Sequence, residues 1–541
     1  MRNVRLFSGG RIYTADPAGS FAESVAVADG RILAVGDDAE VTRALPNASE
    51  TRLEGRTIVP GFIDAHNHYL ATGEGMASVD ASFPKVASVE DLVAALAEAA
   101  ATLPGDGWIT GFGFDHAKYD RAPTRWDLDE IATSRPIAMR HISGHYLLVN
   151  TAAFEAAGIT DDTPDPKGGE LIRDDAGRLT GLCLEAAMAL VEPVAVDIGS
   201  HGPNFHVAAT LDQLVAAVDR AGSAFVAAGL TTVCDAQVTQ RELAGYREAR
   251  RRGIWSVRVC CMPLSNQLSD YGAIGLAGPF GDDKFWLGPM KFYMDGSLIG
   301  GTALFAEPYG ESGEFTGSLY WEPDEMRSMV VEAQRQGWQV GIHTQGDGAI
   351  EAVLDSIEAA MEAHPRPDPR HRIEHCGYPT PEQIERMARL GVIAINQPNY
   401  LHDQGDEFLP RFGERAHWLQ PMRAELNGGV HVVLSSDCDV TTYRPLETIT
   451  NAVVRTTRDG QPIGADQALT VEEAVRAHTI DAAFSIFAED RLGSIEPGKQ
   501  ADLVVLDGDL FSVPPQEIRD LPVWMTMIDG EVVHGPGEAV R

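Results

Sequence analysis

Eight short apolar runs, each followed by polar residues, constrain this chain more than any other feature. They cover residues 57–67, 230–235, 257–262, 290–295, 339–343, 372–375, 392–396 and 431–437. Their lengths suit buried strands. Between most of them lie segments with apolar residues at helical spacing: 211–228, 242–252, 323–336, 349–363 and 381–390. Glycine stands just past most of these segments (Gly229, Gly253, Gly337, Gly391), the usual stop signal for a helix. Strand–helix alternation repeated eight times predicts an α/β fold, a (β/α)8 TIM-like barrel. A doubly wound open sheet is the alternative; the strand count favours the barrel.

Two parts of the chain fall outside that pattern. Residues 70–205 interrupt it after the first strand and are far longer than a βα loop. They hold a helical segment at 89–103 and strand-like runs at 108–112 and 137–140. This predicts an inserted subdomain that covers the barrel mouth. The two chain ends, 1–56 and 488–541, carry short alternating runs. The Asp29-Gly30 pair between two of them is a hairpin signal. The ends are expected to join in a small composite β-sandwich, leaving 57–69 and 206–487 to the barrel.

Charge narrows the partners. The formal net charge is -36, which repels nucleic acid and anionic membranes. No run of ~18 apolar residues offers a membrane span, and the first residues lack an apolar signal core. The expected location is the cytoplasm. Six cysteines without a C-x-x-C pair read as free buried thiols. A homodimer is the expectation from the general prevalence of such assemblies. Lysine occurs only six times, yet Lys291 sits inside an apolar strand, where lysine is rarely found without a partner.

The candidate ligands fall at the C-terminal ends of the predicted strands. His66 and His68 end the first, and one-residue spacing puts both imidazoles on one side of the pleat. Lys291 lies in the fourth, His343 ends the fifth, His375 the sixth and Asp437 the eighth. In a barrel these ends converge on one face. Taken singly, His343 and His375 also suit core histidines, and Asp437 suits a helix cap. Jointly they predict a divalent metal site, and imidazole suits Zn, Fe, Ni and Cu.

The stretch from Pro60 to His68, Pro-Gly-Phe-Ile-Asp-Ala-His-Asn-His, resembles the first-strand signature of the amidohydrolase superfamily. Asp437 in Leu434-Ser435-Ser436-Asp437 resembles its eighth-strand aspartate. The segment from Gly493 to Val504 is similar to the return into the family's composite sandwich. The stretches 291–298, 343–347, 370–375 and 144–150 resemble amidohydrolase family 3, the branch that includes N-substituted formamide deformylase. Asn67 departs from the small or apolar residue common at its position, and its side chain is expected to point away from the metals.

The resemblance implies one or two divalent ions, zinc before others, held by His66, His68, Lys291, His343, His375 and Asp437. It also implies a carboxylated Lys291 bridging the ions if there are two. Burial and nearby cations favour the neutral amine that carboxylation needs. The alternative for Lys291 is an internal ion pair with Asp295 or another carboxylate. The expected reaction is hydrolysis of an amide-type C–N bond in a small molecule, including N-substituted formamides, by attack of metal-bound hydroxide. Asp437 would serve as general base and then acid, and His145 as a neutral donor to the oxyanion. A hydrolytic deaminase or an ester or carbamate hydrolase would use the same site, and a catalytically silent scaffold is the non-enzymatic alternative. Tyr309, Tyr320 and Trp321 suit either a pocket wall or loop packing.

Overall fold

The computed structural model describes residues 4–102, 108–131, 133–166, 169–192, 195–309 and 314–536. They form two compact units: Met1–Tyr69, Gly222–Val238 and Trp255–Arg541 in the first, Leu70–Ala221 and Thr239–Ile254 in the second.

In the first unit every expected barrel strand is present. They are β1 (Phe62–Asn67), β2 (Leu230–Val238), β3 (Arg258–Pro263), β4 (Met290–Tyr293), β5 (Val340–Thr344), β6 (Arg372–His375), β7 (Ile393–Asn396) and β8 (His431–Leu434). Strands β1, β2 and β3 pair in parallel, as do β4 through β8 in chain order. Lys291 of β4 bridges in parallel to Leu264 just past β3, and the Asp437 amide beyond β8 donates to the His66 carbonyl of β1 at 2.9 Å. The architecture is an α/β fold of the TIM-barrel type. Nearly every residue of these strands is buried, which is why they read as continuous apolar runs without alternation. Ile63, Cys234, Cys260, Met262, Ile393, Ile395 and Val433 share one core.

Helices connect the strands where the glycine stops placed them. Pro381–Leu390 shows the local logic: Thr380 caps it with Gln383, proline opens it, and Gly391 ends it at φ 66°.

Two details were not legible beforehand. The run 57–67 is two strands. Thr57–Pro60 pairs with Leu503–Leu506 and Arg11–Tyr13, and only Phe62–Asn67 enters the barrel sheet. Also, β3 pairs on its far side with a short strand, Phe285–Leu287, before the chain steps through Gly288-Pro289 into β4. Proline has no N–H for a ladder, so the step falls there.

Both chain ends contribute to one β structure. A four-stranded sheet holds Arg5–Ser8, Ser24–Ala28, Arg31–Gly36 and Ser49–Arg52. A six-stranded sheet joins N-terminal strands to Leu503–Leu506, Val523–Ile528 and Glu531–His534. Phe7, Val25, Val27, Ile58, Leu503, Val505 and Met527 from both sheets form one cluster. The Asp29-Gly30 turn closes an antiparallel pair with φ of 51° and 77°, as its sequence requires.

The second unit has its own mixed six-stranded sheet, including Ile109–Phe114, Ile137–His141, Tyr146–Val149 and Leu179–Glu185. The helix Val89–Thr102 packs on it through Val89, Leu92 and Leu96. Its expected last residue, Leu103, lies outside the described residues. Among the described residues no helix is long and apolar enough to cross a membrane.

Candidate metal centre

At the C-terminal ends of the barrel strands, five of the expected residues surround or approach Asp437. Its Oδ1 lies 3.2 Å from His68 Nε2 and 3.4 Å from His66 Nε2. The rings of His66 and His375 are 4.9 Å apart, and those of His375 and His343 4.5 Å apart. Lys291 Nζ is 3.3 Å from His66 Nε2. Ligand atoms of His66, His375 and Asp437 all lie within 4.8 Å of one another.

Backbone conformation helps to aim them. His375 and Asp437 have φ of 74° and 54°, which non-glycine residues seldom adopt. Glu374 and His375 are neighbours and would face opposite sides of a regular strand. The left-handed turn at His375 breaks that alternation at the strand end. Such conformations cost on the order of 1–3 kcal/mol each and persist where surrounding contacts impose them.

Each imidazole has one nitrogen tied to an oxygen acceptor. His68 Nδ1 donates to the Ala236 carbonyl (3.2 Å), His343 Nε2 to the Gly296 carbonyl (2.9 Å) and His375 Nδ1 to Gln397 Oε1 (2.9 Å). His66 Nδ1 is 2.5 Å from Glu374 Oε2. Donation at one nitrogen leaves the other with a lone pair, the state a metal requires. Gln397 is itself held, donating to Ser435 Oγ at 2.8 Å. Tyr400 donates to Asp437 Oδ2, while the buried Oδ1 has no hydrogen-bond partner.

Electrostatics favour a cation here. Burial drives His66 to about 3 and His375 to about 4, and with help from His375 and Lys291 it holds His343 well below the ordinary imidazole range. These rings are neutral at physiological pH. Burial opposes a charged His68, but the Asp437 carboxylate outweighs it and its pKa is raised. Burial would raise Asp437, yet the His68 ring facing it and the neighbouring imidazoles of His375 and His66 hold it well below the usual carboxylate range. The lone pairs around Asp437 Oδ1 thus attract a positive charge, whether a proton or a metal ion. Burial lowers Lys291 to about 8, against the pull of Glu374 and Asp437. Among the described residues it forms no ion pair with a carboxylate. Asp295 is engaged elsewhere, accepting the amides of Leu304, Gln345 and Gly346 at 2.8, 2.9 and 3.0 Å.

Asn67 donates to Asp64 Oδ2 at 2.9 Å, so its side chain serves the joint between β1 and the end of β8. Asp64 also accepts the amide and hydroxyl of Ser436. Tyr309 packs with Phe305 and Phe412 and donates to the Ala303 carbonyl. Tyr320 lies against Tyr293, which stacks on His343. His145 belongs to the second unit, where its Nδ1 is 2.8 Å from Glu185 Oε1.

Sequence reasoning missed Glu374, Gln397, Tyr400 and Asp64 as partners of the site. Glu374 had a signal: with Arg372 it places two charges in a fully buried four-residue strand, which demands mutual pairing. Tyr400 had none, because its contact depends on how the helix Asn399–Asp403 is set after β7.

Imidazoles and a carboxylate at the strand ends of a TIM-barrel-type fold are the donor set and the face that a metal-dependent hydrolase uses. The chain belongs to the amidohydrolase family, whose family model matches residues 52–534. It is 32% identical over 548 residues to N-substituted formamide deformylase of Arthrobacter pascens, covering 98% of each chain. It is 31% identical to Protein LONG AFTER FAR-RED 3 of Arabidopsis thaliana, covering 93% of this chain and 86% of that one. Among solved structures it resembles an uncharacterized metal-dependent hydrolase of Pyrococcus horikoshii OT3, with a TM-score of 0.77, 24% identity and coverage of 95% and 99%. The chain is a hydrolase of carbon–nitrogen bonds other than peptide bonds.

Proposed function

We propose that this protein hydrolyses the amide-type C–N bond of a small molecule, with N-substituted formamides as the first substrates to try. The observation that carries the reading is Asp437 Oδ1, a buried carboxylate oxygen without a hydrogen-bond partner, facing the Nε2 atoms of His66 and His68. The name of the Arthrobacter relative supports the substrate class.

His66, His68, Lys291, His343, His375 and Asp437 would hold one or two divalent ions, with zinc suited to this nitrogen and oxygen donor set. When bound, such an ion supplies Lewis acidity, lowering the pKa of water and polarising a carbonyl. Lys291, uncharged in part at neutral to mildly alkaline pH, would bridge two ions once carboxylated. The two parallel sheets would act as one closed barrel, with the chain-end β structure as a separate domain and residues 70–205 as an inserted subdomain.

Asp437 takes a proton from the attacking water and returns it to the leaving nitrogen. Tyr400 anchors Oδ2, so Oδ1 is the oxygen turned toward the reacting atoms. A substrate-contacting role is also proposed for His145, whose Nδ1 lies 2.8 Å from Glu185 Oε1. The free buried cysteines suit a reducing compartment, the cytoplasm, and a homodimer is the proposed assembly. The deciding experiment is a panel of N-formyl and N-acyl amines assayed with Zn2+-reconstituted protein. Formate release with kcat/KM above the N-acetyl analogue supports the reading, and no C–N cleavage across the panel refutes it.

A further inference from the structure

The four imidazoles around Asp437 are not held alike. Three lean on neutral carbonyl oxygens: Ala236 O for His68, Gly296 O for His343 and Gln397 Oε1 for His375. His66 leans on a carboxylate, Glu374 Oε2, at 2.5 Å. That carboxylate is itself clamped. Arg372 Nε donates to Glu374 Oε1 at 2.7 Å, and Nη2 donates to Oε2 at 2.8 Å. The same Nη2 donates to the Ala65 carbonyl at 2.8 Å, one residue before His66 in β1. Arg372, Glu374 and His66 are all fully buried. One guanidinium thus fixes both the backbone that carries the ligand and the carboxylate that orients its ring.

We infer that Glu374, clamped by Arg372, is a positioning residue that makes His66 the strongest donor of the centre, so that the ion held by His66 is the last to leave. A carboxylate acceptor withdraws the Nδ1 proton further than a carbonyl can, and this raises the electron density at Nε2. The charge-assisted bond also fixes the tautomer more firmly than the carbonyl bonds to the other three rings. The inference rests on the metal reading above and adds a ranking of the ligands to it.

Zn2+ titration of chelator-stripped protein against a chromogenic competitor tests the ranking. Removing Glu374 alone would leave a buried guanidinium unpaired and endanger folding. The variant is therefore the double Arg372→Met, Glu374→Gln, checked by far-UV circular dichroism. Its tightest Zn2+ site is expected to weaken by roughly 10–100-fold. A change within about threefold, below the range for outer partners of a ligand, overturns the inference. Gln397→Glu is the converse arm, giving His375 a carboxylate within reach of Ser435. It decides alone if the double variant does not fold: tighter Zn2+ retention supports the inference and unchanged retention overturns it. Wild-type protein that takes up no stoichiometric Zn2+ overturns the metal reading and this inference together. Equal binding by wild type and a folded double variant overturns only the inference.

Discussion

Two groups of histidines invite comparison, one at the barrel strand ends and one in the second unit. The second group contains His116, His141 and His145 with Asp115 and Glu185. Its rings crowd as closely as those of the first: His116 and His141 are 5.0 Å apart, and His141 and Tyr146 4.9 Å. Yet His141 and His145 turn to local partners. His141 Nδ1 meets Ser143 Oγ at 2.8 Å, its Nε2 is 3.6 Å from Asp115, and His145 turns to Glu185. Among the described residues, the set of three ligand atoms that close on one point is His66, His375 and Asp437. Density of histidine does not make a metal centre. The strand-end group differs in a shared carboxylate, with each ring tied back by its outer nitrogen so that the inner lone pairs face it.

The comparison breaks most visibly at Asp437. Asp437→Ala is expected to lower kcat by roughly 10²–10⁴-fold, the range for loss of a general base. Metal analysis of the same variant should still find at least one bound equivalent. Full turnover would remove the residue that distinguishes the two clusters.

A smaller effect follows from buried neutral imidazoles away from either cluster. Burial holds His478 at about 4 and His371 at about 3. Both ionise near 6.5 in the unfolded chain, which therefore binds protons first. Stability complete above pH 6.5 is lost as the pH falls toward 4, by about 3 kcal/mol from His478 alone. A melting temperature that stays level between pH 7 and 4.5 would contradict this.

Lys291 sharpens the comparison further, since it is fully buried among the rings, whereas Lys118 of the second group pairs with Asp115 and is partly exposed. Protein prepared with 13C-bicarbonate should give a carbamate carbon resonance that Lys291→Met abolishes, with metal content falling from two equivalents to one. No resonance in wild type would leave a single-ion centre.

The smallest expected effect is on the other side. His141→Ala should leave metal content unchanged, and His145→Ala should alter kcat/KM across a substrate panel without releasing metal. Loss of a bound equivalent in either would show that the second cluster also ligates.

The sequence disclosed the strand count, the helix stops and Asp437 with the five residues that surround or approach it, because each is a local signal. Buried strands must be apolar, helices must be capped, and chemistry-bearing side chains must interrupt apolar runs at strand ends. It also placed the hairpin at Asp29-Gly30, where only local backbone geometry matters. It was silent on the division of residues 57–67 between two sheets, since a strand's composition does not say which neighbour will satisfy its amides. It was silent too on Tyr400 at Asp437 Oδ2 and Gln397 behind His375. Those contacts join residues 37 and 22 positions apart and exist only once separate strand ends lie side by side. Which nitrogen of each imidazole faces inward was likewise a tertiary decision, because a hydrogen bond to a distant oxygen selects the tautomer, and no local rule specifies that oxygen.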